Sequence, residues 1–301
     1  MPMEDFLKAL DTIKNPAKNL MVVVTGGEPL LRKDLPACGR EIRRRGMRWS
    51  MVSNGYFYDE AVHNSLLNAG LGALTISLDG LPESHSWLRN NPRSFDRAVA
   101  GIDLAVRSLR LKFDVVTCVN KKNISELSLI KEFLKSHKVK AWRLFTIIPI
   151  GRAVQNEELS LSDEEFVYLM DFIRELRENE DDIDVKFSCE GFVGKYEWKV
   201  RESFYFCRAG INIGSILIDG SISACPNIDR SFSQGNIYTD NFNDVWEQRF
   251  NSFRDRNWMR VGQCKDCRRF KDCQGNGFHN WHGSKQNVLV CHRSKIENAH
   301  Y

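Results

Sequence analysis

The sequence predicts an α/β protein in two parts, a parallel β-sheet or partial (β/α) barrel followed by a small cysteine-rich domain. Across the first half of the 301 residues, five apolar stretches typical of buried strands alternate with stretches of helical periodicity, and this alternation favours a parallel sheet. The loops after these strands carry glycines and small polar residues, and in such folds those loops share one rim. In the second half, six of the nine cysteines follow residue 200.

The predicted elements of the first half follow one another closely. A helix at Met3–Ile13, with Phe6, Leu7 and Leu10 on one face, precedes the first strand. The predicted strands are Leu20–Thr25, Trp49–Ser53, Ala73–Asp79, Lys112–Val119 and Ala141–Ile148. The predicted helices that follow strands are Leu35–Arg45, Asp59–Asn68, Ser94–Ser108 and Ile124–Ser136.

The second half begins with a linking segment and continues into a region of different composition. A helix is expected over 156–180, capped by Ser162 with Glu165 three positions later, as in a capping box. The segment GSILIDGSISAC predicts a hairpin that turns at Asp219-Gly220. We therefore expect domain boundaries at 1–155 for the barrel, 156–200 for a connector and 201–301 for the cysteine-rich domain.

Composition and charge exclude several classes of protein. Apolar residues make up 42% and charged residues 27% of the chain, which is typical of a globular protein. The net charge of +4 gives no reason to expect nucleic-acid binding. The start MPMEDFLKAL is unlike a signal peptide, and no apolar run approaches the ~20 residues of a membrane span. An odd number of cysteines without a secretory signal predicts a reducing, cytoplasmic location and metal ligation.

The most specific stretch of the first half is VVTGGEPLLR, which runs from Val23 to Arg32. A strand runs into Gly26-Gly27, and two glycines let the backbone approach a ligand closely. Glu28 then places a carboxylate at the carboxyl end of the strand, where β/α folds keep their chemistry. The alternative is an ordinary βα turn in which Pro29 opens the next helix.

The TGGEPLLR string resembles the GGEP loop of radical S-adenosylmethionine (SAM) enzymes. The resemblance implies that this loop holds the methionine end of SAM, that Ser77 lies near the ribose and carboxylate, and that Gly151 lines the adenine. Asp79 is a further candidate, with capping of the next turn as the alternative. Arg89 could pair with the SAM carboxylate or lie on the surface. The complete implied set is Gly26, Gly27, Glu28, Pro29, Ser77, Asp79, Arg89 and Gly151.

The late cysteines resemble the SPASM extension of radical SAM enzymes, which carries auxiliary [4Fe–4S] clusters. The spacing Cys264-x2-Cys267-x5-Cys273, followed by Cys291, fits four ligands of the outer auxiliary cluster. CxxC is equally a zinc spacing, so a four-cysteine zinc site is the alternative.

The inner auxiliary cluster has fewer candidate ligands. Only Cys207 and Cys225 match its pattern, with Cys189 as a third candidate. Gly277 stands where the family has another cysteine, and Arg201–Phe206 contains none. A cluster with an open iron, a substrate-binding iron and no metal at all remain alternatives.

The catalytic cluster motif CxxxCxxC is absent from the sequence. We therefore expect a chain that is N-terminally shortened relative to the family and inactive as written, with no catalytic residue assigned. The resemblance implies that a complete form cleaves SAM reductively and abstracts hydrogen from a peptide or small protein. It also implies a reducing partner such as a flavodoxin or ferredoxin.

Two further interpretations follow from the resemblance. The chain looks most like the subgroup associated with small lipoproteins. Pro226 follows Cys225, where the sulfatase-maturing members have an aspartate base, and this counts against formylglycine formation.

The alternative to an enzyme is a non-catalytic binding scaffold stabilised by an iron–sulfur cluster or zinc, or a gene remnant.

Overall fold

The computed structural model describes residues 1–14, 16, 19–179, 182–188, 190–282 and 287–299. The strands are β1 Met21–Val24, β2 Arg48–Ser53, β3 Leu71–Ser77, β4 Lys112–Val119, β5 Ala141–Thr146, β6 Asp184–Phe187, β7 Ser215–Ile216, β8 Ser221–Ser223 and β9 Gly235–Asn236. The α-helices are α1 Met3–Asp11, α2 Leu35–Arg44, α3 Glu60–Asn68, α4 Pro82–Arg89, α5 Ser94–Val106, α6 Leu127–Ser136, α7 Asp163–Glu178, α8 Phe242–Arg249, α9 Asn251–Arg254, α10 Phe270–Cys273 and α11 His292–Asn298.

Within the described residues the chain forms two compact units. We call the first the barrel unit, which comprises Ala17–Ser188 and Lys199–Arg201. We call the second the cysteine unit, which comprises Met1–Pro16, Cys189–Trp198 and Glu202–Tyr301. Helix α1 is thus grouped with the cysteine unit, whereas the sequence boundaries place it with the barrel. Those domain boundaries stay a prediction.

The barrel unit contains one parallel sheet whose described strands follow the order β1-β2-β3-β4-β5-β6. The α/β class and the parallel sheet are therefore confirmed, and each of the five predicted strands is present. Strand β6 was not predicted, and it pairs with β5 from Ala141↔Asp184 to Leu144↔Phe187. Because all neighbours are parallel, the carboxyl ends of these strands lie on one edge of the sheet.

Apolar side chains on one face of the sheet form the core of the barrel unit. Leu74 and Ile76 of β3 are at most 1% exposed, and Ile76 lies against Gly101 of α5. Trp49 of β2 is fully buried, and its indole N–H donates to the carbonyl of Ala69 at 3.0 Å. The burial of such apolar side chains is the main favourable contribution to folding.

Two helices differ from the sequence prediction. The helix expected over 156–180 begins only at Asp163, and short 3₁₀ turns precede it. The predicted capping box is confirmed, because Ser162 and Glu165 each bind the other's backbone N–H at 3.1 and 2.7 Å. Residue 180 lies outside the described residues. Helix α4 was not predicted, and its sequence PESHSWLR contains few apolar residues.

The cysteine unit has little regular structure. Its described strands form the antiparallel sheet β7-β8-β9, and the predicted hairpin at Asp219-Gly220 is confirmed by the pairing of Ile216 with Ile222. Its core is an aromatic cluster that includes Phe250, Phe253 and Phe278, all fully buried. None of the helices in the described parts of the chain combines the length and apolar character that crossing a membrane requires.

Candidate functional site

The loop after β1 is fastened to the end of β2 by the carboxylate of Glu28. One carboxylate oxygen accepts hydrogen bonds from the Ser53 hydroxyl at 2.8 Å and from the Leu30 N–H at 3.1 Å. The other oxygen accepts the N–H of Asn54 at 2.8 Å. Hydrogen bonds to a charged group are stronger than neutral ones, so Glu28 holds the loop at the carboxyl edge of the sheet.

The glycines of this loop leave its backbone open. Gly26 has φ of +129°, a conformation that other residues rarely adopt, and both Gly26 and Gly27 are exposed. A Cβ placed on either glycine would meet no atom within 4 Å. Pro29 is buried and opens a short 3₁₀ turn, Pro29–Leu31. The loop backbone is therefore accessible, and its contact with the methionine end of SAM, which the resemblance implies, stays a prediction.

Asp79 and Arg89, two candidate ligand residues, bind each other. The Arg89 guanidinium contacts one carboxylate oxygen of Asp79 through Nε at 2.6 Å and Nη2 at 2.5 Å. The other oxygen accepts the N–H of Cys118 in β4 at 2.9 Å. Burial disfavours the charged guanidinium, but Asp79, Cys118 and Glu28 together outweigh it, so the pKa of Arg89 is raised. Asp79 is thus tied to β4 and α4, and a contact of either residue with SAM stays a prediction.

The backbone of Asp79 is also held on both sides. Its N–H donates to Nδ1 of His85 at 2.9 Å, and its carbonyl accepts the side-chain amide of Asn123 at 2.7 Å. His85 is 1% exposed, and burial lowers its pKa to about 4. A neutral His85 is what this geometry requires, because a protonated Nδ1 could not accept the hydrogen bond.

Ser77 is the last residue of β3, and Gly151 lies in the segment that follows β5. Ser77 closes β3, is 9% exposed and pairs in register with Val116 of β4. Gly151 follows β5 with φ of +56°, and a Cβ there would meet no atom within 4 Å. The preceding Pro149 lines a groove of about 220 Å³ together with Lys121. The adenine and ribose assignments remain predictions.

A charged group on the sheet was not predicted. The Asp114 carboxylate of β4 accepts hydrogen bonds from Thr75 Oγ1 at 2.6 Å and from Nε of Arg143. Nη2 of Arg143 also donates to Thr75 at 3.0 Å. Thr75 precedes Ser77 by two residues in β3, so both side chains share one face. The available signal was a charge inside each of two otherwise apolar strands, KFDVVTCV and AWRLFT.

In the cysteine unit, the four predicted outer-cluster thiols interact with one another. Burial raises the pKa of Cys264 to about 11, and the neighbouring Cys291 and Cys267 act in the same direction. Burial likewise raises the pKa of Cys273 to about 12, with Cys291 as the next contribution. The Cys267 N–H donates to the Cys264 carbonyl at 3.4 Å, which keeps these two residues in one turn.

The donor chemistry of this group fits an iron–sulfur cluster, since four thiols are its usual ligands. Among the described residues, no three His, Cys, Asp or Glu side chains already converge in metal-binding geometry. The four thiols are therefore neighbours rather than a closed cage. Cys207 and Cys225 are half-buried against the same aromatic core, and Cys189 lies outside the described residues.

Comparisons with known proteins agree with this two-part organisation. Residues 1–134 match the family model of the radical SAM superfamily, and residues 207–268 match that of SPASM, an iron–sulfur cluster-binding domain. The AdoMet-dependent heme synthase of Methanosarcina barkeri (strain Fusaro) is 27% identical over 273 residues, which span 85% of this chain and 76% of that protein. The PqqA peptide cyclase of Rhizobium meliloti is 26% identical over 258 residues, or 82% of this chain and 66% of that protein.

A solved structure with the same fold is native anSMEcpe with bound AdoMet and Cp18Cys peptide. It aligns with a TM-score of 0.72 and 17% identity, covering 99% of this chain and 86% of that chain. At this identity the likeness concerns the fold. The two family matches fall on separate parts of the sequence, in the order barrel then cysteine-rich domain. The chain therefore belongs to the radical SAM superfamily, in the SPASM branch, whose cofactors are [4Fe–4S] clusters and SAM.

Proposed function

We propose that this chain binds SAM at the carboxyl edge of its parallel sheet and holds an auxiliary [4Fe–4S] cluster on four cysteines, as part of a peptide-modifying radical SAM system. The observation that carries the SAM site is the loop Gly26–Pro29, fastened by Glu28 to Ser53 and Asn54. Both oxygens of the carboxylate are engaged by the protein. Glu28 therefore contributes by fixing the conformation of the loop, and the exposed glycine backbone of the loop is the part that binds the ligand.

The auxiliary cluster is assigned to Cys264, Cys267, Cys273 and Cys291. Support comes from their mutual electrostatic interaction and from the packing of the half-buried Cys264, Cys267 and Cys291 against one aromatic core. In a complete system, a separate catalytic cluster would supply the electron that cleaves SAM, and this sequence contains no CxxxCxxC motif to hold that cluster. The residues of this chain bind, orient and shield the participants.

A peptide or small protein is the substrate class that we favour. PqqA peptide cyclase is named for a peptide substrate, and anSMEcpe is seen with a bound peptide. We further propose a cytoplasmic location. We also propose a reducing partner of the flavodoxin or ferredoxin type, because the clusters need a low-potential electron source.

Isothermal titration of SAM tests the binding site. We expect Glu28→Gln to weaken SAM binding about 10- to 100-fold, because one carboxylate oxygen becomes an amide that faces the donor of Asn54 or Ser53. Glu178→Gln is the matched control, since Glu178 is an exposed acid at the end of α7. Unchanged binding by Glu28→Gln, or none by the wild type, would refute the assignment.

Metal and product analysis test the remaining parts. Anaerobic protein should contain iron and sulfide, whereas zinc without sulfide would favour the binding scaffold. We expect the chain alone, given SAM and dithionite, to form no 5′-deoxyadenosine, because its sequence has no CxxxCxxC. Formation of that product would contradict the proposed inactivity of the isolated chain.

A tetrapyrrole is the second candidate substrate. It is favoured by the 27% identity to a heme synthase over 85% of the chain. A second relative, from the same organism, is an Fe-coproporphyrin III synthase at 25% identity over 282 residues. Absorbance titration with Fe-coproporphyrin III distinguishes the candidates: a saturable, stoichiometric shift would favour the tetrapyrrole, and no shift would leave the peptide class.

A further inference from the structure

Arg256 is a buried cation in the cysteine unit with an unusual set of contacts. It is 3% exposed, and its guanidinium lies 4.6 Å from the ring centroid of Phe206 and 5.0 Å from that of Phe278. It donates to the carbonyl of Cys207 through Nη2 and to that of Phe253 through Nε. Its Nη1 has no hydrogen-bond partner within the described part of the chain. A buried charge without a counter-ion is costly and calls for an explanation.

The two rings identify where this guanidinium lies. Phe206 is the neighbour of Cys207, and Phe278 is the neighbour of Gly277. Cys207 and position 277 are two of the positions from which the inner auxiliary cluster would take its ligands. The guanidinium therefore lies against the side chains adjacent to two of the expected ligand positions and is hydrogen-bonded to the backbone of one of them.

Position 277 itself has no room for a ligand. A Cβ on Gly277 would lie 2.5 Å from Cε1 of His279 and 2.8 Å from the backbone carbonyl oxygen of Glu190. The imidazole could rotate, but the carbonyl belongs to the backbone and could yield only by a shift of the chain. The residues described here thus do not fit the inner cluster, which is left with the thiols of Cys207 and Cys225.

We propose that Arg256 replaces the inner auxiliary cluster, so that the chain holds a single cluster, in the outer four-cysteine site. The two rings and two carbonyls stabilise the guanidinium by cation–π and hydrogen-bond interactions. Its positive charge opposes the entry of iron ions beside Cys207. Burial lowers the pKa of Arg256, which the nearby Cys207 partly offsets. The count of one cluster rests on the proposed function of the outer site.

Iron and sulfide counting after anaerobic reconstitution tests the proposal. We expect about four irons and four sulfides per chain, with a Mössbauer spectrum of one [4Fe–4S] cluster. Cys207→Ala, Cys225→Ala and Cys189→Ala should leave this count unchanged, and Cys267→Ala should abolish it. The Cys189 variant is included because that residue lies outside the described structure.

The outcomes separate this proposal from the proposed function. About eight irons in the wild type, or loss of iron in Cys207→Ala, would overturn the replacement while leaving the outer cluster in place. Wild-type protein without iron would instead overturn both the single-cluster count and the proposed function. Alkylation of the iron-loaded protein gives a second measurement, in which Cys207 and Cys225 should react with iodoacetamide and the four outer cysteines should not.

A pair of arginine variants tests the part played by the guanidinium. Arg254 is the matched control, because it lies 5.2 Å from the Trp246 ring and donates to backbone carbonyls, yet is exposed. Arg256→Met should lower the melting temperature of the loaded protein by at least about 4 °C more than Arg254→Met, which corresponds to roughly 1 kcal/mol. Equal effects of the two substitutions would contradict a replacement that holds this region together.

Discussion

The barrel unit and the cysteine unit are built on different principles. In the barrel unit, strands of four to eight residues form a continuous parallel sheet, and the polar residues at its edge bind one another. In the cysteine unit, the described strands have two or three residues, and the pKa values of Cys264 and Cys273 are raised by burial and by the neighbouring cysteines. The first unit is therefore completed by its own hydrogen bonds, whereas we propose that a metal cluster completes the second.

Removal of the metal should give the largest difference between the units. Structural four-ligand zinc sites contribute about 10–16 kcal/mol of binding free energy, which is comparable with the whole stability of a domain. We therefore expect Cys267→Ser, or chelation of the loaded protein, to unfold the cysteine unit and leave the sheet intact. Hydrogen exchange followed by mass spectrometry should show loss of protection in the aromatic core around Phe253 and none in β3.

Cys118→Ser is the control for this experiment, because Cys118 lies in β4 of the barrel unit. Equal loss of protection in both units after chelation would show that they do not differ in their dependence on metal.

The buried ion pair of the barrel unit should give the next largest effect. Asp79→Asn leaves the Arg89 guanidinium without its carboxylate, and removing one partner of a buried pair typically costs about 3–5 kcal/mol. Because Arg89 is 32% exposed, we expect about 3 kcal/mol in urea unfolding. Asp34→Asn is the matched control, since the Arg32–Asp34 pair is 31% and 45% exposed and should contribute less than about 1 kcal/mol. Similar losses in the two variants would argue against a special role for Asp79.

Acid should weaken the barrel unit through His85. Its pKa is about 4 in the folded protein and 6.5 in the unfolded chain, so between these values the unfolded state binds the additional proton. The contribution of neutral His85 to the free energy of unfolding is therefore complete above pH 6.5. It is lost as the pH falls, by about 2 kcal/mol between pH 7 and pH 5. His85→Asn keeps an acceptor for the Asp79 N–H and should remove this dependence, while the exposed His282→Asn should retain it. The free energy of unfolding at the two pH values is the measurement.

The capping box of α7 should give the smallest effect. Ser162→Ala removes the acceptor of the Glu165 N–H and should lower the free energy of unfolding by about 1 kcal/mol. Ser162→Thr retains the hydroxyl and should cost only a fraction of that. A loss above about 3 kcal/mol would mean that the barrel unit depends on single local contacts as strongly as the cysteine unit depends on one ligand.

Much of the barrel unit could be predicted because its signals are local. Apolar strands followed by amphipathic helices repeat along the chain, and Ser162 with Glu165 marks a helix start within four residues. Strand β6 was missed because DVKF is short and half polar, so its place depends on pairing with β5 rather than on its own pattern. The helix predicted over 156–180 starts too early, because the capping residue Ser162 marks the true start and the prediction extended the helix before it.

The sequence could predict which residues are candidates for the site, but it could predict few of the contacts that those residues make. The glycine loop and the cysteine spacing are read from adjacent residues, whereas the partners of Glu28 are 25 and 26 positions away. Asp79 and Arg89 were separate candidates for ligand contact, with turn capping and a surface position as the alternatives, and only the fold brings them against each other. Arg256 had no local signal at all, because its rings come from positions 50 residues before and 22 residues after it in the chain.

Trp281 gives the cysteine unit an optical reporter of its own state. Its indole is 2% exposed and donates to the carbonyl of Gly275 at 2.6 Å, two residues beyond Cys273. Iron–sulfur groups absorb in the near-ultraviolet, where tryptophan emits, and they quench nearby indoles by energy transfer. Loading of the outer cysteines should therefore dim the emission of Trp281, while the fully buried Trp49 and Trp142 report the barrel unit. Single-tryptophan variants would thus let the assembly of each unit be followed in real time by its fluorescence.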